Sequence, residues 1–224
     1  MSSQIIASDF QPPALEVSAG LLRQYAKIRK EEPPEILRNY HHEEPVAAAL
    51  YPAARAASVL IGFTDDDSPR LLLTRRPESI SAPGQICFPG GLREATDGDP
   101  IATALRETEE ELGIPRDAIE TLAVLGRYFS HSGHEISPVL ALLRPSLDLH
   151  PNPAEVQEVL EIPAQAIFNP DAYRLVRHDP AQPLAHYHLA YGNTSITGPT
   201  VCLLMHLYEE LTAYVKNREN PGTP

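Results

Sequence analysis

Proline decides where regular structure can stand in this chain. It occurs 23 times in 224 residues, about twice the usual ~5%. Each proline lacks an amide hydrogen and locks φ, so it interrupts helix interiors and central strands. The long proline-free windows, residues 14–32, 53–68, 101–114, 116–137, 184–198 and 200–220, therefore mark the regular elements.

Residues 14–30 set Leu15, Val17, Leu21, Leu22, Tyr25 and Ile28 at roughly helical spacing among Lys and Arg, which predicts an amphipathic helix. Residues 31–45 are polar and proline-bounded, a connector with room for one short helix. Residues 57–63 (ASVLIGF) and 70–74 (RLLLT) predict two strands around the Asp-, Ser- and Pro-rich loop 64–69. A Pro- and Gly-rich loop follows at 76–91, holding a short apolar piece at 86–88. Pro100, preceded by Asp97 and Asp99, opens a helix that carries Ile101, Leu105, Thr108 and Leu112 on one face and ends at Gly113 and Pro115. Strands are expected at 120–129, 136–143 and 185–191, a short segment at 154–160, and an apolar helix at 200–214. The order predicts a mixed α/β fold.

Composition removes several function classes. With 30 acidic against 18 basic residues and a formal charge of −12, the chain is a poor generic nucleic-acid binder, because affinity for phosphate backbones is mainly electrostatic. The longest apolar run, 46–63, is broken by Pro52 and Arg55, so no membrane span of ~18 residues is expected. Residues 1–10 lack the pattern of a secretion signal. Two cysteines, Cys87 and Cys202, make neither a metal spacing nor a disulfide framework and favour a reducing compartment, with the cytoplasm as the expected location. No phosphate-binding G-x-x-x-x-G-K-[ST] loop occurs.

The chemistry concentrates in residues 88–114, FPGGLREATDGDPIATALRETEEELGI. Glu107, Glu110 and Glu111 stand at i, i+3 and i+4, so their side chains share a helix face, roughly opposite Ile101, Leu105 and Leu112. Like charges so placed repel, and a divalent cation such as Mg²⁺ or Mn²⁺ converts that repulsion into binding. Arg106 is positioned to fix carboxylate rotamers through paired hydrogen bonds. Gly90 and Gly91 let the backbone approach a metal or a phosphate closely. For the three glutamates alone, a solvated acidic face remains the plainer reading.

Taken together, Gly91, Asp97, Arg106, Glu107, Glu110, Glu111, Gly113 and Ile114 resemble the signature box of the Nudix hydrolases, a loop–helix–loop containing R-E-x-x-E-E-x-G. Asp97 stands where the general box has Glu, and the interval from Asp97 to Arg106 is one residue longer. Both features, and the F-P-G-G turn before the box, are similar to the coenzyme A pyrophosphatase branch. Residues 72–76 (LLTRR) and 84–91 (GQICFPGG) resemble the two ends of that branch's own motif, while 77–81 (PESIS) between them is one residue short and lacks its usual Arg. Residues 129–143 and 155–163 resemble further segments of the branch, and 196–200 (ITGPT) resembles its W-G-x-T turn with Thr197 in place of Trp.

The resemblance implies a Nudix fold, a mixed sheet sandwiched between helices, over residues 51–216, with an N-terminal helical extension at 1–50 and a disordered tail at 217–224. It implies hydrolysis of a nucleoside diphosphate derivative with Mg²⁺ or Mn²⁺ held by Glu107, Glu110, Glu111 and the Gly91 carbonyl, with Arg106 orienting the carboxylates. Glu155 and Glu158 are further candidates for the base that takes a proton from water. For coenzyme A, the products are phosphopantetheine and adenosine 3′,5′-bisphosphate. Arg75 and Arg76, with Gly90 and Gly91, are the expected substrate contacts, the arginines facing the 3′-phosphate. ADP-ribose, dinucleotides and capped RNA stay open as substrates, as does a non-catalytic nucleotide-binding module. A homodimer is compatible with the family, and no residue here points to one.

His131 and His134 in S-H-S-G-H, and His186 and His188 in H-Y-H, have metal-like spacing but no Cys or further His nearby, so zinc is set aside. The first pair reads instead as a loop beside the substrate cleft, where a His or Tyr128 contacts a base. Cys87 has no evident base to activate it as a nucleophile.

Overall fold

The computed structural model describes residues 4–30, 36–40, 48–178 and 184–219. After β1 (Gln4–Ile6) comes α1 (Ala19–Arg29), and then β2 (Arg55–Thr64) and β3 (Arg70–Arg75), which pair antiparallel as the expected hairpin. Short β4 (Ile86–Cys87) and β5 (Gly90–Leu92) lead into α2 (Pro100–Leu112). Then follow β6 (Ile119–Val124), β7 (Tyr128–Phe129), β8 (His134–Leu143) and β9 (Glu158–Pro163). The chain continues through α3 (Ala164–Ile167), β10 (Tyr173–Arg177), β11 (His186–Tyr191), β12 (Thr194–Ile196) and α4 (Gly198–Glu219).

Among the described residues the large sheet runs β4-β3-β2-β8-β6, with β5 joined to β2, β7 to β8 and β9 to β3. Its centre is the parallel pair β2·β8, in register from Arg55↔His134 to Thr64↔Leu143, and its other pairings are antiparallel. Continuous apolar runs such as VLIGF and PVLALL suit strands covered on both faces. Successive side chains alternate between two cores. Leu60, Leu72, Val139, Ala141 and Leu143 meet Ala104, Leu112 and Ile114 on the α2 side. Ile61, Phe63, Leu71, Leu73, Leu140 and Leu142 join Leu22, Tyr25, Phe168, Leu204 and Tyr208 on the other. The mixed sheet thus lies between helices, as the Nudix fold requires. A second, antiparallel sheet, β1-β10-β11-β12, completes the described structure.

Several elements differ from the sequence reading. The first helix begins at Ala19 rather than residue 14, because Ser18 is extended and its hydroxyl caps the Leu21 amide at 3.2 Å. The strand expected at 120–129 divides into β6 and β7. Residues 154–160, expected as a short segment, form a turn and then the start of β9, paired along β3. α4 starts before residue 200 and continues to Glu219, past the boundary drawn at 216; residues 220–224 of the expected tail lie outside the described residues. So does most of the connector 31–45. The early helix packs into the same core as the sheet, and the segment before it is tied down where Tyr208 donates to the carbonyls of Phe168 (2.7 Å) and Pro13 (2.9 Å). No helix among the described residues is long and apolar enough to cross a membrane.

Candidate active site

The site is built on the start-to-end geometry of α2. Asp99 caps its N-terminus, accepting from the Ala102 amide at 2.8 Å, and Pro100 occupies the first helical position. At the other end the carbonyls of Glu111 and Leu112 have no partner within the helix. The amides of Asn152 (2.8 Å) and His150 (2.9 Å) donate to them. That docking brings the 152–156 turn against the helix. Within the turn the Asn152 side chain accepts from the Ala154 amide (3.1 Å) and donates to Glu155 Oε1 (3.1 Å).

As a result Glu107, Glu111 and Glu155 each bring a carboxylate oxygen within 4.8 Å of the other two. Glu110 is not part of this group: its carboxylate is half exposed and takes a 2.8 Å hydrogen bond from Arg106 Nη1. The glutamate face is therefore not opposite the apolar face, as the sequence suggested. Glu111 lies at the edge of the buried face, only 5% exposed, and Glu110 turns to solvent. Glu158, the other later candidate, pairs with Arg75 at 2.7 Å.

Arg106 ties the loop before α2 to the helix itself. Its guanidinium donates to Asp97 (Nε to Oδ1 3.1 Å, Nη2 to Oδ2 3.0 Å), to the Leu92 carbonyl (2.9 Å), to Glu107 Oε1 (3.0 Å) and to Glu110. Asp97, buried by its surroundings, also accepts from the Glu94 amide (2.9 Å) and the Thr103 hydroxyl (3.1 Å). Hydrogen bonding from Arg106 and from that amide holds its carboxyl well below the usual carboxylate range.

The two glycines act differently. A Cβ on Gly90, whose φ is +149°, would lie 2.3 Å from the Ser58 carbonyl oxygen, so the backbone itself forbids a side chain there. A Cβ on Gly91 would lie 2.5–2.6 Å from the Glu107 carboxylate, so its absence leaves room for that group. The Gly90 amide also donates to Glu111 Oε2 at 3.3 Å.

Burial pushes the Glu111 carboxyl up to about 8, against the lowering effect of the Gly90 amide and with further raising by Glu107 and Glu155. Glu107 is raised as well, by burial first, although Arg106 opposes it. The donors in this cluster are oxygens of high charge density, a set that fits a hard divalent cation such as Mg²⁺ or Mn²⁺.

Arg75 and Arg76 lead into the loop beside this cluster. Arg75 is matched by Glu158, whereas Arg76 Nε is held by the neutral Ser81 carbonyl at 2.9 Å, and its positive charge reaches Glu111 and the Cys87 thiol. Burial pushes that thiol up, which keeps it protonated and inert. Tyr128, expected near a base, is 2% exposed and belongs to the core. The Thr200 hydroxyl donates to the Ile86 carbonyl at 3.1 Å, tying the start of α4 to the strand that precedes the Gly turn.

Residues 53–185 match the NUDIX domain. The chain belongs to that family. Nudix hydrolase NudL of Photorhabdus laumondii, itself uncharacterized, is 42% identical over 120 residues, 53% of this chain and 64% of the relative. NudL of Yersinia pestis is 34% identical over 160 residues, 70% of this chain and 80% of the relative. The chain thus matches just under two thirds of the length of the Photorhabdus protein. The crystal structure of a MutT protein from Methanosarcina mazei shares 14% identity with a TM-score of 0.46, covering 80% of this chain and 99% of that one. In this Nudix domain, Glu107, Glu110 and Glu111 come from the box, while Glu155 comes from beyond it.

The Glu111 carboxyl binds its proton more tightly in the fold, at about 8, than its ordinary value of 4.5. Its contribution to stability is therefore full below about pH 4.5 and is lost as pH rises toward about 8. With a chelator present, urea unfolding should show the wild type losing stability relative to Glu111→Gln between about pH 5 and about pH 8. The same pH slope in both proteins would contradict this assignment.

Proposed function

We infer that the chain is a Mg²⁺- or Mn²⁺-dependent pyrophosphohydrolase that cleaves the diphosphate of coenzyme A or an acyl-coenzyme A. The reading rests on one observation above all, the meeting of Glu107, Glu111 and Glu155 beside the Gly90–Gly91 turn. In it, Glu107, Glu111 and the Gly91 carbonyl hold the ion. The bound ion supplies neutralisation of diphosphate charge and a more acidic water. Glu155 is the exposed member of the three, steadied by Asn152, and is assigned the water's proton. Glu110 acts through Arg106 as a positioning residue rather than as a ligand.

The coenzyme A assignment rests on the resemblance of residues 72–76 and 84–91 to the branch motif. It is supported by Arg76, whose charge is held by neutral Ser81 oxygens and so remains available for a 3′-phosphate. Arg75, matched by Glu158, is the lesser contact. A reducing, cytoplasmic setting belongs to the same reading, from the two cysteines whose spacing makes no disulfide framework.

Incubation with Mg²⁺ or Mn²⁺ and a panel of coenzyme A, its 3′-dephospho form, ADP-ribose, a dinucleotide and capped RNA tests the reading. Coenzyme A is expected to be preferred, and Glu111→Gln should lower kcat by about a hundredfold or more. Arg76→Ala should raise KM about tenfold for coenzyme A and little for the dephospho form. No turnover on any substrate would sink the enzyme reading; preference for ADP-ribose or cap would sink only coenzyme A.

The glycines separate fold from chemistry. Gly91→Ala should keep its unfolding temperature but lose at least about tenfold in activity by displacing Glu107, whereas Gly90→Ala should unfold at lower temperature because its Cβ meets backbone. Unaltered activity in a folded Gly91→Ala would contradict the role given to Glu107.

A further inference from the structure

The second sheet carries three imidazoles that the hydrolytic site does not use. β10 and β11 pair in a register that sets Arg174 opposite His188 and Val176 opposite His186. Alternation along β11 buries Tyr187 and Leu189 and leaves His186 and His188 half-buried on the other face. His178 lies just past β10, and its Nε2 is 3.2 Å from Nε2 of His188. Nδ1 of His188 is 2.8 Å from the hydroxyl of Ser195 on neighbouring β12. The His186 ring centroid is 6.0 Å from that of His178.

Two ring nitrogens aimed at each other share either a proton or a cation. Ligand bonds of about 2.0–2.1 Å in tetrahedral geometry separate two nitrogens on one ion by about 3.3–3.4 Å, close to the spacing found. In the tautomer whose Nδ1–H donates to Ser195, His188 keeps a lone pair on Nε2, which is the form that ligates, and a partner on the second nitrogen is the usual support of a metal-bound histidine. Burial first, and His178 next, lower the proton affinity of His188 and favour its neutral ring. These donors are nitrogens, which suit Zn²⁺ or Ni²⁺ and offer little to Mg²⁺.

We propose that His178 and His188, flanked by His186, form a second cation site that takes a borderline divalent metal of the Zn²⁺ or Ni²⁺ type, separate from the glutamate cluster. The spacing of His186 and His188 gave no zinc site in the sequence because His178, the imidazole that approaches His188, lies outside that motif, just past β10.

Zn²⁺ titration of the full chain carrying Glu111→Gln, in millimolar Mg²⁺, keeps the acidic cluster from competing. Calorimetry should show one binding event, weakened about a hundredfold by His178→Ala or His188→Ala and unchanged by His150→Ala, and the imidazole resonances of His178 and His188 should be the first to shift. His188→Gln, which keeps the bulk of the side chain, carries the same expectation, and unfolding temperatures in chelator confirm that each variant is folded. Absence of Zn²⁺ binding in the folded Glu111→Gln protein, or an affinity unchanged in the His178 and His188 variants, would overturn the proposal. Either result leaves the hydrolase reading untouched, because that reading rests on Glu107, Glu111 and Glu155.

Discussion

Repulsion among carboxylates is the constraint around which the rest of this structure is arranged. Glu107, Glu111 and Glu155 meet within 4.8 Å, with Glu111 nearly out of solvent, and burial makes the charges of Glu107 and Glu111 harder to keep. Arg106 offsets part of that cost. It joins Asp97 and the Leu92 carbonyl on the loop to Glu107 and Glu110 on the helix, so that one cation fixes both loop path and carboxylate positions. What Arg106 and the Gly90 amide do not neutralise is left for a proton or a bound cation, and the raised Glu111 carboxyl expresses that balance.

The same cluster depends on how α2 ends. Its last carbonyls need donors, and the amides of His150 and Asn152 provide them. Satisfying those backbone groups carries Glu155 to the glutamates of the helix. The Asn152 side chain then holds the turn and touches Glu155 itself. Behind α2, the apolar faces of β2 and β8 keep the helix seated, so backbone hydrogen bonding, core packing and the polar cluster agree on one arrangement.

Local signals made much of this legible from residues alone. The helix at 100–112 was readable because Asp99, Pro100 and Gly113 mark its ends within a few residues, and the β2–β3 hairpin because its apolar runs flank a turn-rich loop. Glu155 could not be promoted over Glu110 in the same way. Spacing i, i+3, i+4 predicts a shared face, but only the fold shows that Glu110 is drawn away by Arg106 while a distant turn supplies the third carboxylate. β10 and β12 were missed because their partners lie in other segments and their own patterns are short. Tyr128 misled for a related reason: neighbours far along the chain bury it in the core.

The central claim is that a divalent cation completes the glutamate cluster, and the most direct measurement is the anomalous scattering of Mn²⁺ in crystals of the wild-type chain. The expected result is a peak among Glu107, Glu111 and Glu155, with Glu110 still bonded to Arg106. A Mn²⁺ peak held by Glu110 and away from Glu155, or none near these residues in millimolar Mn²⁺, would contradict it.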